Sequence, residues 1–318
     1  MRGNSAKMRR NFEQQPLLLI FDFSCYPIIH MKAYLDIVQK ILDKGFRKTN
    51  RTGTDALSIA GAMFEHDMAE GFPLLTTKKV PFKMVRSELE FFIRGYTDKE
   101  WLREQKNSIW DEWCSPDVVP YGNDEQTKTK MMNERELGPI YGWQWRNFGA
   151  KYMSHNAAPQ GQGIDQLKKL VQTLKTNPDD RRMIVSAWNP CDLHRMALPP
   201  CHYSFQVTVI DGKLNLLWNQ RSVDVALGLP FNIASYACLL HLLAKEANLG
   251  EGKLIGFLGD THIYINHINA ISLQLVRQPK ALPQIKTEIF KSIFDWHYED
   301  TAVEGYDPHP AIKFEIAV

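Results

Sequence analysis

The sequence lacks the features that mark several special classes of protein. No apolar stretch approaches the ~20 residues that a membrane-spanning helix needs. Lys and Arg number 38 and Asp and Glu number 36, so the net charge is only +2, which argues against nucleic-acid binding as the main function. The five cysteines are an odd number and include no CxxC pair, so neither a disulfide framework nor a zinc site is expected. Such cysteines indicate a reducing compartment, and we expect the cytoplasm.

The remaining composition is that of an ordinary globular protein. Of the 318 residues, 44% are hydrophobic and 23% are charged. A chain of this length can bury a large core, in one large domain or two. Residues 1–30 contain four basic residues and a short apolar run that Asp22 interrupts. We expect residues 1–30 to form a poorly ordered N-terminal extension and residues 31–318 to form the folded domain.

Several segments have apolar residues at helical spacing. Gly45 and Gly95 end two of them. Residues 115–136 are polar and have no clear period, and we expect them to form a surface insertion. The predicted helices span about Tyr34–Leu42, Phe82–Arg94, residues 164–176 and about Asn232–Ala247.

The clearest local signal is a β-hairpin at Asp211-Gly212. Apolar and polar residues alternate over Phe205–Val209 and again over Leu214–Trp218. Asp-Gly between two such runs is typical of a two-residue turn. Strands and long helices without regular βαβ alternation predict an α+β fold.

Cys201 is the candidate nucleophile. It follows two prolines, and the hairpin brings Arg221 onto the neighbouring strand. If pairing continues without a bulge, Cys201 lies opposite Ser222 and His202 lies opposite Arg221. A thiol beside a guanidinium gains thiolate character, which a cysteine nucleophile needs. The alternative is a small buried hydrophobic residue, as most free cysteines are.

Other polar residues are candidates for binding a ligand. Four arginines lie in short polar junctions: Arg51, Arg181, Arg182 and Arg221. Guanidinium groups bind phosphate well, and the alternative is that these are solvated surface charges. Adjacent residues at the start of a strand point to opposite sides, so Arg181 and Arg182 are not expected to share one ligand. Asn232 begins a predicted helix, where it could cap the helix or bind the polar edge of a pyrimidine.

Glu88 and Glu90 form a carboxylate pair in sequence but not in space. They lie two residues apart on a predicted helix, which separates them by about 200° around the helix axis. The two carboxylates therefore cannot face one pocket.

Longer motifs resemble the thymidylate synthase family. The resemblance covers roughly residues 31–318 in order, and its motifs are long and specific. The motifs are Arg51-Thr52-Gly53-Thr54, Ile109-Trp110-Asp111-Glu112-Trp113, residues 137–142, Met196-Ala197-Leu198-Pro199-Pro200-Cys201-His202, residues 220–224, residues 227–236, residues 259–264 and the ending Ala317-Val318.

The resemblance implies an activity, a fold and an assembly. The activity is the reductive methylation of dUMP to dTMP, with 5,10-methylenetetrahydrofolate as the co-substrate that gives both the carbon and the hydride. The fold is α+β, with one large mixed sheet flanked by helices. The sheet packs back to back against its twin in a homodimer, and arginines are shared between the two sites. No metal and no membrane is implied.

The resemblance also implies a role for each matching residue. Cys201 attacks C6 of the uracil, and Glu88, rather than Glu90, relays protons to the pyrimidine through water. The implied catalytic residues are Cys201, Glu88, Arg221, Asp224, Tyr141 and His202. The implied nucleotide-binding residues are Arg51, Arg181, Arg182, Arg221, Ser222, Val223, Asp224, Asn232, His262, Ile263 and Tyr264. The implied folate-binding residues are Asp224, Trp110, Ala317 and Val318, the last two as a small lid.

Within these sets, some roles are specific. Asn232 would bind the O4 and N3 edge of uracil and so favour uracil over cytosine. His262 and Tyr264 would bind the deoxyribose hydroxyl from one face of a strand. Arg51, Arg181 and Arg182 would reach the phosphate of the partner subunit. Trp110 would stack near the folate.

A few positions depart from the pattern of the family. The differences are Glu90 in place of an aliphatic residue, Phe91 in place of a common Trp, Asn219 in place of the usual Tyr, and Pro81 in place of a His that some members have. Glu90-Phe91 and Asn219 suggest a dUMP hydroxymethylase, in which water rather than hydride quenches the exocyclic methylene. Asn232 argues against a cytidylate hydroxymethylase, which has Asp at this position, but not against the dUMP hydroxymethylase. The other alternative is RNA binding, an accessory role at most with this net charge.

Overall fold

A six-stranded sheet with helices packed on one face lies at the centre of the protein. The computed structural model describes residues 31–50, 53–122 and 124–315. The helices are α1 Lys32–Lys44, α2 Phe82–Arg94, α3 Lys99–Glu104, α4 Glu125–Asn133, α5 Tyr141–Asn147, α6 Gln166–Thr176, α7 Gly228–Ala247 and α8 Ile268–Leu275. The strands are β1 Phe46–Lys48, β2 Ala56–Asp67, β3 Ile184–Ser186, β4 His202–Ile210, β5 Lys213–Asp224, β6 Gly250–Tyr264, β7 Gln284–Thr287 and β8 Thr301–Glu304. No helix in these ranges is long and apolar enough to cross a membrane.

The large sheet is mixed, as expected. Its strand order is β1-β2-β6-β5-β4-β3. β5 and β6 run parallel, and the other neighbours are antiparallel. Because β5 and β6 run parallel, their C-terminal ends lie side by side at one end of the sheet. β7 and β8 form a separate antiparallel pair.

The inner face of the sheet carries the core. Trp218 of β5 stacks on Tyr236 of α7, with ring centroids 5.5 Å apart. Phe64 of β2 and Phe205 of β4 are fully buried on the same face. α7 covers this face because nearly all of its middle residues are apolar and buried. The fold is therefore the α+β domain that the sequence predicts.

The predicted helices agree with α1, α2 and α6, and the limits of α2 are those predicted. The predicted start of the helix at Asn232 was wrong, because α7 begins four residues earlier at Gly228. The segment 115–136, predicted as a surface insertion without a clear period, contains α4, a helix that the sequence did not reveal. α4 buries Met131 and is capped by the Asp124 side chain.

The hairpin forms at the predicted turn, and Asp211 and Gly212 both have positive φ angles, of 51° and 68°. The predicted register holds from the turn as far as the pair Ser204–Asn219. A bulge between His202 and Ser204 then shifts it by one residue. The pairing expected without a bulge, Cys201 opposite Ser222 and His202 opposite Arg221, was therefore wrong. His202 lies opposite Gln220 instead.

Candidate active site

The bulge in β4 places Cys201 beside Arg221. The backbone N–H of Arg221 donates to the carbonyl of Cys201 at 2.8 Å. Arg221 Nη2 lies 4.0 Å from Cys201 Sγ, while Nε donates to the carbonyl of Pro200 at 2.9 Å and Nη2 to that of Pro199 at 2.7 Å. The two prolines thus fix the guanidinium against a partly exposed thiol. A cation at this position stabilises the thiolate.

Tyr141 holds the other side of the Cys201 backbone. The N–H of Cys201 donates to the Tyr141 hydroxyl oxygen at 2.8 Å. Tyr141 begins α5, which can lie close to α2 because Gly142 has no side chain. A Cβ atom at Gly142 would lie only 2.4 Å from the carbonyl oxygen of Phe92. The Tyr141 ring stacks on that of Phe92 at 4.9 Å. Burial raises the pKa of Tyr141 well above its usual value, so the hydroxyl keeps its proton.

His202 lies behind Tyr141 in the same cluster. Its ring centroid is 4.4 Å from that of Tyr141, and its Nδ1 is 2.9 Å from the hydroxyl of Tyr236. Burial lowers the pKa of His202 to about 3. The imidazole is therefore neutral at pH 7.

Glu88 is a buried carboxyl group that faces Trp110. The Trp110 indole N–H donates to Glu88 Oε1 at 2.7 Å. Burial raises the pKa of Glu88 to about 7, and this hydrogen bond opposes the rise. Tyr141 lies between Glu88 and Cys201, since its ring packs on Trp110 at 6.0 Å and its hydroxyl meets the Cys201 backbone. The site thus holds a carboxyl group that titrates near neutral pH, which suits general acid–base chemistry.

The amide of Asn232 has a fixed orientation. The indole N–H of Trp218 can only donate, and it bonds Gln220 Oε1 at 3.1 Å. Gln220 Nε2 therefore donates, to Asn232 Oδ1 at 3.0 Å and to the carbonyl of Ser222 at 3.1 Å. This chain of donors leaves the NH₂ group of Asn232 available to a ligand.

The ends of β5 and β6 bring further predicted residues together. Asp224 pairs with His262 across the two strands, and Tyr264 lies on the same face as His262, with ring centroids 5.2 Å apart. The single-face prediction for His262 and Tyr264 is thus in agreement with the structure. Val223 and Ile263 are fully buried, so a ligand here could meet only their backbone.

Asp224 combines a structural contact with a half-exposed carboxylate. Its Oδ1 accepts the N–H groups of Ala226 and Leu227 at 2.9 and 3.1 Å. The ammonium group of Lys78 donates to the carbonyl of Ala226 and lies 4.5 Å from the ring centroid of Phe314. Burial lowers the pKa of Lys78 to about 8, and the charge of Asp224 opposes the shift. A carboxylate and an ammonium group therefore lie close together here.

Arg181 and Arg182 lie far from Cys201 in the same chain. They precede β3, whose residue Ile184 pairs with Gln206 of β4. Arg182 is thus about seven strand positions from Cys201, or roughly 20 Å. Both arginines are exposed, and Arg182 forms a 2.8 Å ion pair with Asp180. One chain does not bring the two arginines to the site that Arg221 occupies.

Two of the departures from the family pattern lie away from the site. Asn219 is on the outer face of the sheet, where it donates to Ser204 Oγ at 3.2 Å. Glu90 accepts the backbone N–H of Tyr298 at 2.8 Å and contacts Arg94 and His297. Glu90 is 3% exposed and thus a buried carboxylate. The separation of Glu88 and Glu90 is as predicted.

Some predicted residues lie outside the described ranges, and some contacts were not predicted. Arg51, Ala317, Val318 and residues 1–30 are not described. The sequence did not reveal roles for Gln220 and Lys78, nor the hydrogen bond between Trp110 and Glu88. A Gln next to Arg221 and the pair Lys78-Lys79 are visible in the sequence, but only their contacts reveal a role.

Comparisons with known proteins show what the chain is similar to. A family model described as thymidylate synthase matches residues 32–318. A thymidylate synthase of Corynebacterium aurimucosum is 46% identical over 285 residues, which cover 90% of this chain and 97% of that protein. A bifunctional dihydrofolate reductase-thymidylate synthase of Paramecium tetraurelia is also 46% identical over 285 residues, covering 90% of this chain. The chain spans only 61% of the length of this second relative.

Proposed function

The chain belongs to the thymidylate synthase family, and on this premise we propose how its residues carry out the reaction. The reaction is the reductive methylation of dUMP to dTMP with 5,10-methylenetetrahydrofolate as co-substrate. The observation that carries the assignment to these residues is the thiol of Cys201, 4.0 Å from the Arg221 guanidinium. The hydroxymethylase alternative is not favoured, because Asn219 and Glu90, the departures that suggested it, do not line the site.

Cys201 is the nucleophile, and Arg221 stabilises its thiolate. Attack on C6 of the uracil forms the Cys201 S–C6 bond and moves the electron pair of the C5–C6 double bond onto C5 and O4. Arg221 and Ser222 hold the phosphate of the nucleotide. Tyr141 fixes the nucleophile, since its hydroxyl accepts the Cys201 N–H.

Asn232 selects the base. Gln220 holds its Oδ1, so the NH₂ group of Asn232 donates to O4 of uracil. Cytosine has an amino group at that position, which would bring two donors together. His262 and Tyr264 bind the deoxyribose hydroxyl from the adjoining end of β6.

Glu88 moves protons to and from the pyrimidine through water. Its pKa near 7 lets it both accept and release a proton at neutral pH. His202 is an uncharged group that positions Tyr141 and Tyr236, since its low pKa prevents it from serving as an acid near pH 7.

The site has residues that fit the folate. The pterin ring carries several N–H donors, and the half-exposed Asp224 carboxylate is a suitable acceptor because only its Oδ1 bonds the backbone of residues 226 and 227. Trp110 offers an aromatic surface. The lid that the resemblance implies, Ala317 and Val318, lies outside the described residues. The folate supplies the one-carbon unit and the hydride. No metal takes part in these steps.

The enzyme acts as a homodimer through the outer face of the sheet. Met63, Phe257 and Ile184 are each about half exposed there (58%, 45% and 51%) and form an apolar surface. Back-to-back packing of two sheets would cover this surface. It would also let Arg181 and Arg182 reach the phosphate in the partner subunit, which their separation of roughly 20 Å from Cys201 prevents within one chain. Arg51, for which the resemblance implies the same role, lies outside the described residues.

The enzyme works in a reducing compartment, the cytoplasm. Among the described residues, Cys114, Cys191, Cys201 and Cys238 form no disulfide, and a nucleophilic thiol needs an environment that keeps it reduced. The N-terminal residues 1–30 are an extension of the catalytic domain over residues 31–318.

The nucleophile is tested by comparing two cysteine variants. Cys201→Ala should lower kcat by at least about 10³-fold. Cys191→Ala removes an exposed thiol from the same chain and should leave kcat within about twofold. Normal dTMP formation by Cys201→Ala would rule out the proposed chemistry.

A further inference from the structure

Lys99, at the start of α3, has a side chain that is fully buried. Its ammonium group donates to three backbone carbonyls: Asp111 at 2.9 Å, Trp113 at 2.7 Å and Met131 at 2.7 Å. An ammonium group has three N–H donors, and each of them has an acceptor here. Such complete pairing is what allows a lysine to stay buried.

The three carbonyls belong to two segments, one of which directly follows Trp110, the hydrogen-bond partner of Glu88. Asp111 and Trp113 lie in the loop that follows Trp110, and Met131 lies in α4 of the 115–136 segment. Arg103 adds a second bond to this loop, from Nε to Asp111 Oδ1 at 2.7 Å. Lys99 therefore joins α3, α4 and the loop after Trp110.

The same loop is held at its other end by α2. Asn107 Nδ2 donates to the carbonyl of Met84 at 2.9 Å and to Ser87 Oγ at 3.0 Å. Trp110 lies between Asn107 and the Lys99 contacts, and it donates to Glu88 at 2.7 Å. The position of the indole N–H is thus set by two anchors, of which Lys99 is one.

We propose that Lys99 is a positioning residue, which holds the loop after Trp110 so that the indole N–H stays on the Glu88 carboxylate. The proposal rests on the assignment of proton transfer to Glu88. A side chain of similar length without donors would leave three buried carbonyls unpaired. The loop would then shift to find other partners, and the hydrogen bond from Trp110 to Glu88 would weaken.

The charges around both groups are consistent with this role. Burial lowers the pKa of Lys99 to about 8, with Arg103 adding to the effect and Cys114, Asp111 and Glu134 opposing it. The group is therefore cationic at pH 7.

Around Glu88, the titratable neighbours are tyrosines. Tyr141 of α5 and Tyr236 of α7 both have raised pKa values, mainly because of burial. His202, in contact with both tyrosines, is neutral at pH 7. Trp110 is consequently the donor that counters the rise in the pKa of Glu88.

The experiment compares Lys99→Met with Lys130→Met, each in the wild-type and the Trp110→Phe background. Lys130 is exposed on α4, one residue from Met131, and is the matched control. Lys99→Met should lower kcat for dTMP formation about tenfold and move the Glu88 limb of the pH profile to higher pH. In the Trp110→Phe background the same change should alter kcat less than about twofold, because the indole N–H is already absent. Lys130→Met should change neither quantity.

Several outcomes would overturn the proposal. An equal loss of kcat in both backgrounds, or a loss without a shift of the pH profile, would make Lys99 a purely structural residue. If Lys99→Met does not fold, Lys99→Gln, which keeps two N–H donors, is judged by the same two criteria. Failure of the wild-type enzyme to form dTMP would instead contradict the proposed function, and the two failures are therefore distinguishable.

Discussion

At the scale of the residue, burial more than charge sets the protonation states around Cys201. It raises the pKa of Glu88 to about 7 and lowers that of His202 to about 3. Each shift disfavours the charged form, as expected for groups removed from water. The result is a site with one group, Glu88, that exchanges protons near neutral pH, next to a thiol whose anion a guanidinium stabilises.

The raised pKa of Glu88 predicts a cost in stability. The unfolded chain titrates this group near 4.5 and the folded chain near 7. Between these values the folded chain binds more protons, so the free energy of unfolding falls as pH rises. Glu88→Gln removes the fall in the free energy of unfolding that Glu88 causes at high pH, and its side-chain oxygen still accepts the hydrogen bond from Trp110.

Glu88→Gln should therefore be more stable than the wild type at pH 8, by up to about 3 kcal/mol, and no more stable at pH 4. Urea unfolding at the two pH values measures the difference. Glu104→Gln alters an exposed carboxylate on α3 and should change the free energy of unfolding by less than about 0.5 kcal/mol. A Glu88→Gln variant that gains nothing at pH 8 would contradict the assigned pKa.

At the scale of the element, local patterns predicted what depends on neighbours in sequence. α2 ends at Gly95 and the hairpin turns at Asp211-Gly212, because both ends are set by a few adjacent residues. The bulge in β4 has no such signal. It frees the N–H of Cys201 for the hydroxyl of Tyr141, which lies 60 residues away.

Other failures of prediction have the same cause. α4 buries a single apolar side chain, Met131, and a helix of this kind has no apolar stripe to detect. Its contact with Lys99 comes from another helix. Glu90 is buried because it meets a segment around Tyr298, more than 200 positions later in the chain. The role of Glu88 came from the resemblance, whereas the local pattern around Cys201 had already made it the candidate nucleophile.

The early start of α7 yields a prediction about base choice. Asn232 lies inside the helix rather than at its cap, and Gln220 of β5 holds its Oδ1. Asn232→Asp places a carboxylate where the NH₂ group stood, and this carboxylate accepts the amino group of cytosine. The ratio of kcat/KM for dUMP to that for dCMP should fall by about 10²-fold or more.

Asn177→Asp is the control for this change. Asn177 is exposed at the end of α6, and the same chemical change there should leave the ratio unaltered. If Asn232→Asp keeps the discrimination of the wild type, Asn232 does not select the base.

At the scale of the whole molecule, the proposed homodimer would complete the site with residues of the partner chain. Arg182 lies roughly 20 Å from Cys201 along the sheet and Arg181 is one residue further, beyond the reach of either side chain. The apolar outer face of the sheet around Met63 and Phe257 offers the surface for a partner. Local sequence patterns do not indicate this arrangement, because it depends on how two sheets face each other, and the homodimer is predicted only by the resemblance to the family.

Shared sites predict that two inactive variants restore each other. In a mixture of Cys201→Ala and Arg181→Ala chains, half of the dimers are mixed, and each holds one intact site. Subunit exchange should thus recover about a quarter of wild-type activity. Each variant exchanged with itself should remain inactive, and no recovery in the mixture would argue against shared sites.

The central claim is that this site reduces the transferred carbon to a methyl group, and the product tests it most directly. The purified protein is incubated with dUMP and 5,10-methylenetetrahydrofolate while dihydrofolate absorbance is followed and the nucleotide is weighed by mass spectrometry. The account predicts dTMP with one equivalent of dihydrofolate. 5-Hydroxymethyl-dUMP with tetrahydrofolate retained would contradict it, and would mean that water reaches the intermediate in spite of the synthase motifs.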